Sequence, residues 1–299
     1  MNRTSIICAA ILAICSGACT GRSDDRTIVF ADGQYTLSAG GWQATVSPET
    51  GGRIVSFRCG DEELLTDSTV HPVYYGATMW VSPQCDHWPV HPVLDRMPYR
   101  VTKNTDTLCL ESEPDTIWGV RFIKRFFVSE CDSAFCLCYT VENCSSAPKR
   151  IAVWDVARVH GGTGFFEKKD DIPDCPTSLR HLSEQYGCIW YHYSPDSLKR
   201  GEKLFATTRS GWLAYQSGSL LFVKTFPQVD RDDLPPMQGE AEIFVAPSGA
   251  YVELENHSAY ILLPPGGRLH YPQKWFLFGG RDRFGETEPD WADFVRRLF

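Results

Sequence analysis

Phe135-Cys136-Leu137-Cys138-Tyr139-Thr140-Val141-Glu142-Asn143 places Phe135, Leu137, Tyr139 and Val141 at every second position. Successive side chains of a strand point to opposite faces, so this period buries one face and sends Cys136 and Cys138 together to the other. A polar turn follows, and Arg150–Val156 resumes as an apolar strand. The same texture extends outward in both directions. Upstream it covers Gln34–Leu37, Trp42–Val46, Arg53–Arg58, Arg100–Thr102, Thr107–Glu111, Arg121–Val128 and Ala134–Glu142. Downstream it covers Trp212–Gln216, Leu220–Phe226, Glu242–Ala246, Ala250–Glu255, Ala259–Leu263 and Arg268–Leu277. Gly, Asp, Asn, Ser and Pro punctuate these runs at hairpin spacing, which predicts an all-β, antiparallel sandwich or barrel. His160–Ser194 is the least regular stretch and is expected to hold long loops. One helix is expected, at the C-terminus. Thr287 stands as N-cap with Asp290 three residues on, and Trp291, Phe294, Val295 and Leu298 then fall on one helical face.

Composition bounds the partners. The chain has 299 residues, 43% hydrophobic and 22% charged, enough for a large core. Disorder, collagen and coiled coil are excluded. No apolar run reaches the roughly 18 residues of a membrane-spanning helix. The net charge of −8, without a Lys/Arg cluster, argues against nucleic acid, whose phosphates an acidic surface repels. Trp is abundant, at 9. No repeat or composition shift divides the chain, so 28–299 reads as a single domain.

The N-terminus reads as a targeting segment. Arg3 precedes the uncharged stretch Ile6–Cys15, and Ser16-Gly17-Ala18-Cys19 resembles a bacterial lipobox with Ser where Leu is usual. Residues 1–18 would then be a lipoprotein signal peptide, Cys19 the lipidated residue and 19–27 a polar tether. Cleavage before Cys19 leaves 281 of the 299 residues and removes Arg3. The expected location is the cell envelope of a Gram-negative bacterium, held to the membrane by the lipid anchor alone. The alternative is an ordinary secretory signal and a secreted protein. Nine cysteines remain beyond Cys19, an odd number that cannot all pair. Most are expected to be small core residues, with one or two disulfides compatible with an oxidising compartment.

Four segments carry a family resemblance. Pro48-Glu49-Thr50-Gly51-Gly52-Arg53-Ile54 opens a strand followed by Glu62-Glu63-Leu64-Leu65. Phe135–Asn143 leads into Ser145–Val156. Ser248-Gly249-Ala250-Tyr251-Val252-Glu253-Leu254-Glu255 precedes Leu262-Leu263-Pro264-Pro265-Gly266-Gly267 and Lys274-Trp275-Phe276. Together these resemble the galactose mutarotase-like (aldose 1-epimerase-like) superfamily. Gly76-Ala77-Thr78-Met79-Trp80-Val81-Ser82-Pro83-Gln84 resembles the signature of its bacterial subgroup, domain of unknown function 4380. The resemblance spans about Ile28–Phe278. It implies an antiparallel β-supersandwich whose concave face binds sugars.

A mutarotase opens and recloses a sugar ring by general acid–base catalysis, and one Glu with one or two His suffices without metal or cofactor. The resemblance places Glu253 as the base. Period two puts Glu255 on the same face, where two adjacent carboxylates raise one pKa. The family's second His would fall near Trp154–Arg158, where this chain has none. Arg158 stands there and can bind through its planar fork. The first His would fall in Gln84–His91, where His87 is the candidate acid and His91 the second choice; His160 sits at a loop start. Trp80, Trp88 and Trp154 are expected to stack on sugar, in competition with plain core packing. Gln84 joins the substrate-binding set. Lys224, a charge inside Phe222–Phe226, must find a partner or a pocket. Asp86, His87 and His91 lack a helix to give them ligand spacing, so no metal is expected.

The expected partner is a mono- or oligosaccharide. The readings left open are an enzyme acting at an anomeric centre, a non-catalytic glycan-binding lipoprotein, and a polysaccharide lyase or glycoside hydrolase.

Overall fold

The computed structural model describes residues 27–169, 177–195 and 200–299. The signal peptide 1–18, Cys19, all of the tether but Thr27, and Cys175 lie outside the described residues. Thr27 opens the strand Thr27–Ala31.

Two large antiparallel sheets share one core. The eleven-stranded sheet runs, in spatial order, through Thr27–Ala31, Gln34–Ala39, Trp42–Ser47, Arg53–Cys59, Ala77–Ser82, Lys149–Val159, Val252–His257, Ala241–Val245 and Glu202–Ala206. Two short strands pair off this path. The ten-stranded sheet runs through Leu182–Gln185, Cys188–His192, Thr163–Glu167, Trp212–Ser217, Leu220–Thr225, Arg268–Gly279, Phe135–Asn143, Val120–Val128, Leu108–Glu111 and Arg100–Asn104. This is the mutarotase-like β-sandwich that the resemblance implied.

The packing follows the alternation. In Gln34–Ala39 the buried residues Tyr35, Leu37 and Ala39 alternate with half-buried Gln34, Thr36 and Ser38. Between the sheets, Phe57 of one sheet meets Trp275 and Phe222 of the other at ring distances of 5.7 and 5.8 Å. Burying such rings removes roughly 150–250 Å² each from water and dominates the core. Ala77–Ser82 and Val252–His257 are buried at every position. One face of these strands meets the other sheet, and the second face is covered too.

Three strands fall inside the stretch expected to be loops: Thr163–Glu167, Leu182–Gln185 and Cys188–His192. The last two form a hairpin through Tyr186 and Gly187, at φ 54° and 71°. The type I′ form of a two-residue hairpin needs both central residues at positive φ, and Tyr in the first place hides the usual Asn-Gly or Asp-Gly signal.

The C-terminal helix Glu288–Arg296 forms as expected. Asp290 accepts from the Thr287 backbone N–H at 3.1 Å and from its hydroxyl at 2.6 Å, and Trp291 and Val295 are buried. Among the described residues no helix is long and apolar enough to cross a membrane.

The cysteines correct two expectations. All eight described ones are free, and only Cys136 and Cys188 are buried. Cys85, Cys131 and Cys144 are exposed, so core filling does not account for most of them.

Candidate functional site

Register builds the site. Trp154 stands opposite Trp80 on one neighbouring strand and His257 on the other. Arg158 stands opposite Glu253, and Glu255 opposite Glu242. Phe244 lies between Glu253 and Lys203. Directly opposed residues share a face, so five strands present these groups together. Their alternates face the other sheet: Asp155, next to Trp154, pairs with Lys224 across the sandwich at 2.6 Å. The polar cluster therefore lies on the face turned away from the second sheet. Gly76 starts the Trp80 strand at φ 60°, where a Cβ would sit 2.3 Å from the Ile54 carbonyl oxygen. Only glycine fits that approach.

Aromatic rings cover this face. Trp80 packs edge-on against Trp88 at 5.2 Å and Trp154 at 5.0 Å, and Tyr74 stacks on Trp88 at 5.9 Å. Trp80 is oriented by its indole N–H, which donates to Asp95 Oδ1 at 2.7 Å. Trp88 rises from a loop bounded by cis peptides at Ser82–Pro83 and Trp88–Pro89 and stays 42% exposed.

Two ion-pair groups sit against the indoles. Arg158 Nε lies 2.8 Å from Glu253 Oε1, its Nη1 donates to Thr78 Oγ1 at 3.2 Å, and its guanidinium lies 4.8 Å from the Trp80 ring centre. Lys203 Nζ lies 2.5 Å from Glu242 Oε2 and 2.9 Å from Glu255 Oε2, 5.2 Å from the Trp154 ring centre. Trp154 Nε1 donates to the same Glu255 oxygen at 2.6 Å. His257 is held between Ser82 Oγ at Nδ1, 3.2 Å, and Glu242 Oε1 at Nε2, 3.3 Å.

Burial divides the proton among these groups. It pushes the Glu255 carboxyl up, helped by the negative Glu242 and Glu253 and opposed by Lys203. Burial would raise Glu242 too, but Lys203 and His257 hold it well below the usual range. Burial lowers His257, against the pull of Glu242. Glu242, Glu255 and His257 also bring potential ligand atoms within 4.8 Å of one another. A metal ion would fit that donor set, but the Lys203 ammonium already supplies the positive charge there.

The structure thus brings Glu253, Arg158, Glu255, Trp80, Trp88 and Trp154 to one place. His87 does not join them. Its Nδ1 lies 3.1 Å from the Pro83 carbonyl oxygen and its ring packs edge-on against Trp118, beside His91, which stacks on Trp118 and pairs with Asp115 at 2.8 Å. Gln84 is half-buried, and its backbone carbonyl accepts from the His87 N–H. Lys224 is displaced altogether: it is fully buried between the sheets, bonded to Asp155 and to the Leu254 carbonyl. A lysine in an apolar strand needs a partner, and here that partner is a core aspartate. His160 is exposed.

Sequence reasoning missed Tyr74, Lys203, Glu242 and His257. The signal for His257 was present, since Glu253, Glu255 and His257 continue one period of two. Lys203 and Glu242 stand in apolar strands as Lys224 does, and nothing local separates the cleft-facing charge from the core charge.

Residues 82–278 match the family model described as domain of unknown function 4380. The chain belongs to this family. A search of curated proteins returns no match. Among solved structures, this DUF4380 protein is similar to a TPR-domain containing protein from Parabacteroides distasonis, at 15% identity and TM-score 0.57, covering 82% of this chain and 46% of that one. It is also similar to a galactose mutarotase-like protein from Lactobacillus casei, at 11% identity and TM-score 0.57, covering 82% and 100%. A galactose mutarotase related enzyme from Lactobacillus acidophilus matches at 11% and 0.56, covering 83% and 98%. At these identities the likeness is one of fold.

Proposed function

We propose that this DUF4380 protein binds a mono- or oligosaccharide at the Trp80–Trp88–Trp154 face and exchanges its anomers, with Glu253 as the base. The observation that carries this is the Glu253 carboxylate, 10% exposed and held at 2.8 Å by Arg158, whose guanidinium lies on the Trp80 ring beneath the exposed Trp88. Sugar C–H faces pack on exposed indole, which here is Trp88, while Trp80 and Trp154, 2% exposed each, pack beneath it as core and do not stack on sugar as expected; a positioned carboxylate takes the proton of the anomeric hydroxyl. Arg158 is wholly buried, so its role is to aim Glu253. The fold of the mutarotase-like neighbours supports the same reading.

The test is NMR exchange between α- and β-anomers across a panel of aldoses. Protein should accelerate exchange for at least one sugar, and Glu253→Gln should lose that acceleration while sugar still binds. A sugar that binds without acceleration would favour the second reading, a glycan-binding protein; the lack of a histidine in the cross-strand row of Glu253 speaks for it. The N-terminal segment supports an envelope location. Mass spectrometry of the protein from its membrane fraction should then find a diacylglyceryl-modified Cys19 as the first residue.

A further inference from the structure

The resemblance leads one to expect an imidazolium as the proton donor that works opposite the base. The cross-strand row of Glu253 holds no histidine, and on the aromatic cover His71 stacks on Tyr74 with its Nδ1 accepting from the Val73 and Tyr74 N–H groups. His257 is fully buried with both ring nitrogens against Ser82 and Glu242, and His87 packs on Trp118. Glu255 and Glu242 are also fully buried. Two charged groups of the cluster keep solvent contact: the Glu253 side chain, 10% exposed, and the Lys203 side chain, 16% exposed. Each is backed by a buried partner of opposite charge, Arg158 behind Glu253 and the Glu242 carboxylate behind Lys203.

We infer that Lys203 is the catalytic proton donor of this site, delivering its proton to the ring oxygen while Glu253 works at the anomeric hydroxyl. The inference rests on the anomer-exchange reading and deepens it. Lys203 and Glu253 stand in one cross-strand row with Phe244 between them. Two strand spacings separate their backbones, about 9–10 Å, the scale of one pyranose ring. The half-buried Phe244 offers that ring an apolar floor.

The step balances. Glu253 takes the proton of the O1 hydroxyl, a carbonyl forms at C1, and the C1–O5 bond breaks with its electron pair passing to O5. O5 takes a proton from Lys203 Nζ, which is left as a neutral amine. After rotation about C1–C2 the amine recovers that proton, O5 attacks C1 from the other side, and Glu253 returns its proton to O1. Burial alone would lower the Lys203 pKa, but Glu242 and Glu255 outweigh it and hold it above the usual lysine value. The donor therefore stays charged across the neutral range, where an imidazolium would discharge.

The experiment measures kcat and KM for anomer exchange from pH 6 to 7.5 on wild type, Lys203→Met, Lys203→Arg and Glu253→Gln. Lys203→Met should lower kcat by about 100-fold or more, the usual worth of a general acid, with KM changed far less. Lys203→Arg keeps the charge but cannot release its proton, so it should stay as slow as Lys203→Met; full rescue by Arg would overturn proton donation. Wild-type kcat should show no loss with a midpoint near 6.5. The inference is overturned if Lys203→Met keeps kcat within about threefold while Glu253→Gln is dead, a result that leaves the anomer-exchange reading standing. It is equally overturned by a wild-type kcat that falls as pH rises with a midpoint near 6.5, a measurement that stands even if Lys203→Met fails to fold. Wild type that accelerates no bound sugar removes both readings.

Discussion

Trp88 and Glu255 show how exposure separates residues that share one site. Trp88 is 42% exposed and carries little of the core, so its removal acts on ligand rather than on fold. Trp88→Ala should weaken sugar binding by roughly tenfold, about 1.4 kcal/mol, with the melting temperature within a degree or two of wild type; calorimetric titration and a thermal melt check both. Glu255 is the opposite case. Its carboxyl is pushed up from 4.5 to about 8 in the folded protein, mainly by burial. A raised folded pKa means the native state holds a proton that the unfolded chain has lost. The stability it contributes is complete below about 4.5 and declines as pH rises toward 8. Glu255→Gln cannot ionise, so its melting temperature relative to wild type should rise between pH 5 and 8. A difference that stays flat over that window would show that Glu255 is ionised in the native protein. The rise in wild-type stability as Glu242 ionises belongs to much lower pH, since its folded pKa is near 2.

At the scale of elements, the strand Lys149–Val159 belongs to two environments at once. Trp154 and Arg158 face away from the second sheet, under the aromatic cover, while Asp155 faces that sheet and pairs with Lys224, both wholly buried. Lys224 also donates to the carbonyl of Leu254, between Glu253 and Glu255, and so ties the site-bearing strand to the sheet below. Lys224→Met would leave the Asp155 charge buried and alone. Loss of one partner from such a pair costs about 3–5 kcal/mol, so a large drop in denaturation midpoint is expected. Lys224→Met with Asp155→Asn should recover much of that loss, because the charge goes with its partner. The C-terminal helix gives a smaller effect. Thr287→Ala removes the hydroxyl bonded to Asp290 and should cost about 1 kcal/mol in urea unfolding.

At the scale of the whole molecule, two sheets with a large aromatic core hold the fold without cross-links among the described cysteines. Alkylation after unfolding without reductant should modify Cys59, Cys85, Cys109, Cys131, Cys136, Cys138, Cys144 and Cys188; protection of a pair among them would contradict the structure. The sandwich itself was legible because burying one face of a strand imposes a period of two, and Phe135–Asn143 and Arg268–Leu277 display it openly. The strand Ala77–Ser82 was recognised as a motif and not as a strand, since both of its faces are covered and the alternation vanishes. Glu253, Arg158 and the three tryptophans could be nominated from local pattern and resemblance alone. Which charges meet could not. Lys203 and Lys224 look alike in sequence, and only strand order sends one to the cleft beside Glu255 and the other to Asp155 in the core. Local pattern, by itself, determined the strands, the capped helix and the residue types of the site. Register across strands distant in sequence decided the partners, because ion pairing and pKa depend on distances that open only when the sheets close.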